Sequence, residues 1–306
     1  MANSPKTQDE WTIHALNIHG VFFERSCSSL ISETNGWRVL ATNYPVEFPP
    51  PNGPWRGKES SLDIWARRDN DPRFVVDVLI ECKKANPDFV NWILFPKSGC
   101  SIPSPIRLAR VDNESSTGAN PPWLSRTSLM RSTTTISVVN DAREVRGEYA
   151  KAQGNNKTKT SNAAIQEAAY QVALGTRAIV HEEGALLRKA RVSPEHPAPP
   201  WSTKLYIPVI VTTARLFITQ FDSKSVKLIS GEIDLHDAKL EPVQTAVYEY
   251  ALPKHLQHAP AEPLDTLRTG NSEVFSRMHI FVVHAEAVAG FLSDLFAEVS
   301  KQKSGG

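Results

Sequence analysis

An acid and a lysine separated by one residue close an almost wholly apolar run in Phe74-Val-Val-Asp-Val-Leu-Ile-Glu-Cys-Lys-Lys84. Side chains alternate across a strand, so Phe74, Val76, Val78, Ile80 and Cys82 share one face, and Asp77, Leu79, Glu81 and Lys83 share the other. A buried strand does not carry charges at its end without a partner. Just upstream, Ser60-Ser-Leu-Asp-Ile-Trp-Ala66 has the pattern of a second strand, with Leu62 and Ile64 on one face and Asp63 on the other. The short polar turn from Arg67 to Arg73 suits antiparallel neighbours and brings Asp63 beside Glu81 and Lys83. Two carboxylates that converge repel each other unless a cation lies between them, and oxygen-only ligands suit Mg²⁺ or Mn²⁺. A divalent-cation site is the expected chemistry.

Asp63 followed by Glu81-Cys82-Lys83 at the end of the next strand resembles the D...(D/E)xK signature of the PD-(D/E)XK, or restriction-endonuclease-like, nuclease superfamily, with Leu62 in place of the proline of the strict motif. The resemblance implies an α/β fold with an αβββαβ core, a central mixed sheet flanked by helices. It implies that Asp63, Glu81 and the main-chain carbonyl of Cys82 hold Mg²⁺ or Mn²⁺, and that Lys83 orients the attacking water or stabilises charge on the phosphorus. It also implies a glutamate from the first core helix that reaches the cation directly or through water, and Glu24 stands where that residue would be. Gln166-Glu-Ala-Ala-Tyr170 is similar to the QxxxY motif of the RecB-like branch, where Gln166 and Tyr170 would position a nucleotide by hydrogen bonding and stacking.

The elements that must position these residues follow from periodicity. Trp11 to Ser32 predicts one helix, with Ile13, Leu16, Gly20, Phe23, Cys27 and Leu30 as its buried stripe. Its histidines, His14 and His19, are five residues apart and do not align as a ligand pair. Trp37 to Phe48 predicts a strand, and Pro49 to Gly57 a stiff loop. Residues 85–160, with prolines and Ser/Thr clusters, predict an irregular insertion. Ser161 is the expected N-cap of a helix from Asn162 to Glu183 with Ile165, Ala168, Ala169, Val172 and Ile179 inward, and spacing of four puts Gln166 and Tyr170 on one face. Leu205 to Phe221 predicts a hairpin that completes the sheet. A C-terminal α/β extension, 223–301, follows, with strand-rich Ile229 to Leu252, a strand over Val274 to Val283 and a helix over Ala285 to Lys301. The expected organisation is one domain over 1–306, with its core in 11–84 and 161–222.

Composition narrows the classes. With 41% hydrophobic and 22% charged residues the 306-residue chain is an ordinary globular sequence. A formal net charge of +1 gives no global field for a polyanion, so any nucleic-acid contact must be a local patch. The expected patch is Ala142 to Thr160, where Arg143, Arg146, Lys151, Lys157 and Lys159 stand against Glu144 and Glu148; Lys157 and Lys159 are its substrate-contacting candidates. Cys27, Cys82 and Cys100 form an odd, widely spaced set without CxxC, which argues against a disulfide framework or structural zinc and for a reducing, cytoplasmic setting. No signal core and no run of 18 apolar residues is expected to enter a membrane. The expected function is a Mg²⁺- or Mn²⁺-dependent nuclease hydrolysing phosphodiester bonds, with DNA favoured over RNA as partner. A non-catalytic nucleic-acid-binding or assembly subunit on the same fold is the alternative, and the extra segments leave room for a homodimer or a partner protein.

Overall fold

The computed structural model describes residues 7–46, 60–71, 73–87, 89–97, 105–113, 123–129, 136–145, 160–192, 203–253, 268–269 and 275–302. Helices α1 (Gln8–Ile18) and α2 (Val21–Glu33) precede three antiparallel strands, β1 (Arg38–Val46), β2 (Ser60–Asp71) and β3 (Phe74–Lys83). Strands β4 (Asn91–Pro96), β5 (Ile106–Asp112), β6 (Trp123–Leu129), β7 (Val138–Val145) and β8 (Thr160–Ser161) come next, then helix α3 (Ala163–Val192). The chain continues through β9 (Thr203–Thr212), β10 (Arg215–Phe221), β11 (Ala238–Val243), β12 (Thr245–Ala251), β13 (Arg268–Thr269) and β14 (Arg277–His284) to α4 (Val288–Gln302). The result is α/β, a large mixed sheet flanked by helices.

The expected single helix from Trp11 to Ser32 is two. Gly20 breaks it with φ of 80°, a left-handed conformation that glycine adopts without steric penalty. Only α2 packs inward, through Cys27 and Ile31; α1 buries nothing, and Ile13 is 52% exposed. Lys84 Nζ donates to the carbonyl of Asn17, so the end of α1 is held by the residue directly after β3.

Strand β3 is central because its run of Val, Ile and Leu is buried on both faces. On one side it pairs with β2, and on the other it pairs in parallel with β9 along its whole length, from Phe74–Thr203 to Lys83–Thr212. Helix α3 makes the crossover between these parallel strands. Its N-terminal amides are satisfied by Ser161 Oγ, which accepts from Ala163 N at 3.1 Å, and by Glu144 Oε1, which accepts from Ala164 N at 2.8 Å. Ile165, Ala168, Ala169, Val172 and Ile179 are fully buried against the sheet, as the spacing predicts. The opposite face is covered by Cys27 and Ile31 of α2 and by Val288, Leu292, Leu295 and Val299 of α4.

Two expectations about the remaining chain are corrected. Leu205 to Phe221 is not a hairpin: β9 pairs with β3, β14 and β5, whereas β10 pairs with β4 and β11. The strand order is β1-β2-β3-β9-β14-β12-β7-β4-β10-β11, so β9 and β10 lie far apart in the sheet although only Thr213 and Ala214 separate them in sequence. The Thr213–Ala214 connection is therefore a corner between different parts of the sheet rather than a turn between paired neighbours. Residues 85–160 are also not merely irregular, since β4, β5 and β7 join the same sheet; so do β12 and β14 from beyond residue 223. Insertion and extension thus add strands to the sheet that begins with β1, β2, β3 and β9. No helix among the described residues is long and apolar enough to cross a membrane.

Candidate cation-binding site

At the C-terminal end of β3 the ladder to β2 stops. Its last pair at this end is Ile64–Ile80, and one step further the side chain of Asp63 takes over: Oδ2 accepts from the main-chain N–H of Cys82 at 2.7 Å. A carboxylate that replaces a ladder carbonyl lies between the two strands, at the level of the sheet, rather than on one face. The neighbouring residues show the same break. Leu62 packs with the α3 side of the sheet and Ile64 with the α2 side, and Asn43 of β1, between the partners of these two residues, has a left-handed φ of 50°. Gly175 lets α3 press on this point, since a Cβ there would stand only 3.2 Å from Leu62 Cδ1.

Glu81 is 3% exposed, and its Oε2 is buried without a hydrogen-bond partner. Burial, then the neighbouring Asp63 carboxylate, push the Glu81 acid up to about 9, against a smaller opposing pull from Lys83. Burial raises Asp63 to about 6, although the Cys82 N–H favours its charged form; Glu24 raises it further. Glu24, in the first turn of α2, therefore faces this group and repels both acids.

Lys83 leans toward α3. Its Nζ stands 3.9 Å from Glu81 Oε1, 3.2 Å from Glu167 Oε2 and 3.4 Å from Gln171 Oε1. Glu167 and Gln171 do not appear among the sequence candidates. They repeat the i, i+4 spacing of Gln166 and Tyr170 one residue further round the helix, so spacing alone does not say which pair faces the lysine. Gln166 instead donates to Tyr248 OH on β12 at 2.6 Å, and Tyr170 packs at the edge of the core. Lys157 and Lys159, with Arg146 and Lys151, lie outside the described residues; Arg143 pairs with Asp141.

The site thus brings Glu24, Asp63, Glu81 and Lys83 together at the C-terminal ends of the parallel strands β3 and β9, the edge at which open α/β sheets present ligand sites. Its donors are oxygens with raised proton affinity and one buried oxygen has no partner, which fits a hard divalent cation. Glu24, Asp63 and Glu81 are not drawn into a tight three-ligand cluster. Among the described residues the only group of three such ligand atoms within 4.8 Å of one another is Asp234, His236 and Asp237, largely exposed between β10 and β11.

No protein-family model, curated protein or solved structure matches this chain.

Proposed function

We propose that the chain is a divalent-cation-dependent nuclease that hydrolyses phosphodiester bonds in nucleic acid, DNA being the first polymer to test. The observation that carries this reading is the meeting of two proton-avid carboxyls, half-buried Asp63 and buried Glu81, where β2 and β3 part, with Lys83 two residues beyond Glu81. The order α2-β1-β2-β3-α3-β9, with β9 parallel to β3, supports it, because it has the αβββαβ sequence of elements that the Asp63...Glu81-Cys82-Lys83 resemblance implies.

Asp63, Glu81 and the Cys82 carbonyl would hold Mg²⁺ or Mn²⁺, with Glu24 reaching the same point through water. When bound, such an ion polarises a phosphoryl oxygen and lowers the pKa of a coordinated water. The protein's own groups do the rest. Glu81 keeps a proton at neutral pH in the cation-free site and releases it when a positive charge takes its place. Lys83, tethered by Glu167 and Gln171, presents an ammonium beside the reacting phosphate, where it orients the attacking water or offsets the developing negative charge. Asp63 is held in position by the Cys82 N–H, which takes no part in the ligation and leaves Oδ1 for a ligand, while Glu24 and Glu81 must draw closer to it.

The deciding experiment incubates the purified chain with single- and double-stranded DNA and RNA in Mg²⁺, Mn²⁺ or EDTA, beside Glu81→Gln and Lys83→Ala. Cleavage by the wild type that EDTA and both substitutions abolish is expected, with Mn²⁺ still bound by Lys83→Ala. Binding of nucleic acid without cleavage in either cation would favour a non-catalytic subunit.

A further inference from the structure

Between β10 and β11 the chain leaves the sheet in an arm, residues 222–237, that has internal order but no core of its own. Gly231, with φ of 72°, makes a tight turn in which its N–H donates to the Lys227 carbonyl at 2.7 Å and the Lys227 N–H donates to the Glu232 carbonyl at 2.8 Å. Lys227 Nζ also pairs with Asp234 Oδ1 at 2.7 Å. None of residues 222–242 is buried. Leu228 and Leu235 are 95% and 97% exposed, and Ile229 is fully exposed. Ordering a backbone costs entropy that burial normally offsets, and apolar side chains gathered in water mark contact surfaces.

Strand β11, which the arm enters, ends the strand order and pairs with β10 alone among the described residues. Its outer edge is a template for another strand. Ala238, Leu240 and Pro242 fall on one face with Phe221, the β10 partner of Ala238, whereas Lys239 and Glu241 fall on the other. Leu240 and Phe221 are both exposed, so the first face is an open apolar strip. Pro242 has no N–H to give to β10, so its nitrogen is turned to the free edge. Leu240 and Ala238, two and four residues before it, direct their N–H groups to the same edge.

We propose that this surface docks a second copy of the chain, with β11 pairing antiparallel to its own copy about a two-fold axis at Leu240, so that two sheets become continuous. The charges select both the partner and the register. With Leu240 opposite Leu240 of the second copy, Lys239 lies opposite Glu241 and Glu241 opposite Lys239. A slip that keeps the same N–H groups at the seam sets Lys239 opposite Lys239, or Glu241 opposite Glu241, and like charges disfavour both. A partner of different sequence would not require charges that read as opposites about one residue. In the selected register Leu240 exchanges both main-chain hydrogen bonds with its copy, and the Ala238 N–H reaches the Pro242 carbonyl of the second copy. The bond lost at each end is the one proline cannot donate. The apolar strips join across the axis, Phe221 and Leu240 of one copy beside Leu240 and Phe221 of the other. A self-complementary patch of this kind closes as a dimer. The arm, joined to β11 at Ala238, is carried to the Pro242 end of the second copy's strand, where Leu228, Ile229 and Leu235 meet that copy instead of water.

The test is sedimentation equilibrium of the full chain in EDTA over a range of concentrations. The wild type is expected to approach twice the 33.9 kDa mass of one chain. Lys239→Glu and Glu241→Lys each place like charges in both cross-strand pairs and should weaken association by about tenfold. Their melting temperatures at low concentration should match the wild type, because both side chains are exposed. Mixed in equal amounts, the two variants should associate again, as should the chain that carries both substitutions. Leu228→Ser, Ile229→Ser and Leu235→Ser together should weaken the dimer with the strand charges intact. A wild type that stays monomeric throughout overturns the proposal, since the edge would then be covered by another segment of the same chain or by an unlike partner. It is also overturned if either single variant associates as tightly as the wild type, or if mixing the two restores nothing. None of these readouts involves cleavage, so the dimer stands or falls apart from the nuclease reading.

Discussion

Two acids on the same face of β3, Asp77 and Glu81, lie about 13 Å apart, four residues at strand spacing, and they have opposite surroundings. Asp77 is fully buried and fully paired: it accepts from Arg67 at 2.7 and 3.0 Å and stands 2.9 Å from Lys204 Nζ. Lys204 also pairs with Glu183 of α3, which accepts from Tyr206 OH at 2.7 Å. Two acids and two bases cancel, and α3 is pinned to the sheet. At the other end Glu81 faces Asp63, Glu24 and Glu167 with Lys83 as the one base acting on it. A buried acid held by two cations is a structural fastening. A buried acid left with an orphaned oxygen among other acids instead keeps its proton, and raised acids of this kind cluster at functional sites more often than elsewhere.

The comparison is broken most sharply by activity. Glu81→Gln and Asp63→Asn are expected to reduce cleavage to background, while Asp77→Asn leaves turnover intact in the fraction that stays folded. A gel assay at saturating Mg²⁺ reads this, and residual cleavage by Glu81→Gln above a few per cent would contradict the ligand role.

Stability should show the reverse. Asp77→Asn leaves Lys204 and Arg67 to share Glu183 as their remaining acid, and breaking a buried network in this way costs up to about 3–5 kcal/mol. Glu81→Gln mimics the protonated acid and should leave cation-free stability at pH 7 unchanged or raised. Urea titrations of both variants measure the difference, and equal losses would mean that the two acids do the same work.

The next effect is the pH dependence. Glu81 has an ordinary pKa of 4.5 when unfolded and about 9 in the fold, so between these values the folded state binds more protons than the unfolded. Its contribution to stability is complete below pH 4.5 and is lost as pH rises toward 9, with a slope of about 1.4 kcal/mol per pH unit for a single group. Asp63 adds the same sign between 3.8 and about 6. Metal-free wild type should therefore melt at lower temperature as pH rises from 6 to 9, and Glu81→Gln should flatten the trend. Divalent cation should do the same. A flat wild-type profile in EDTA would show that Glu81 is ionised throughout.

The smallest change is expected at the exposed partner of Lys83. Glu167 is 61% exposed, so Glu167→Gln should alter stability by less than about 1 kcal/mol. It frees the lysine from its nearest acid, and the pH profile of cleavage, rather than the melting temperature, is the quantity to watch.

The sequence by itself determined the elements whose signals are local. Alternation from Phe74 to Lys83, the short turn before it and the apolar spacing after Ser161 specify β2, β3 and α3, because the period of two or 3.6 is written in neighbouring residues. That placed Asp63, Glu81 and Lys83 at one sheet end, where the structure has them. Tertiary structure decided the rest. Whether two apolar runs joined by two residues fold back as a hairpin or turn a corner into different neighbours depends on β4 and β14, more than a hundred residues before β9 and some sixty after β10. Gln166 and Glu167 differ by 100° on a helix, and only the packing of α3 against β3 and β12 sends one to Tyr248 and the other to Lys83. Lys204 sits in an apolar strand with no local sign of its partners. Asp77, Arg67 and Glu183 reach it only after β2, β3, α3 and β9 assemble, because charge pairing is set by distance in space and leaves no period in the chain.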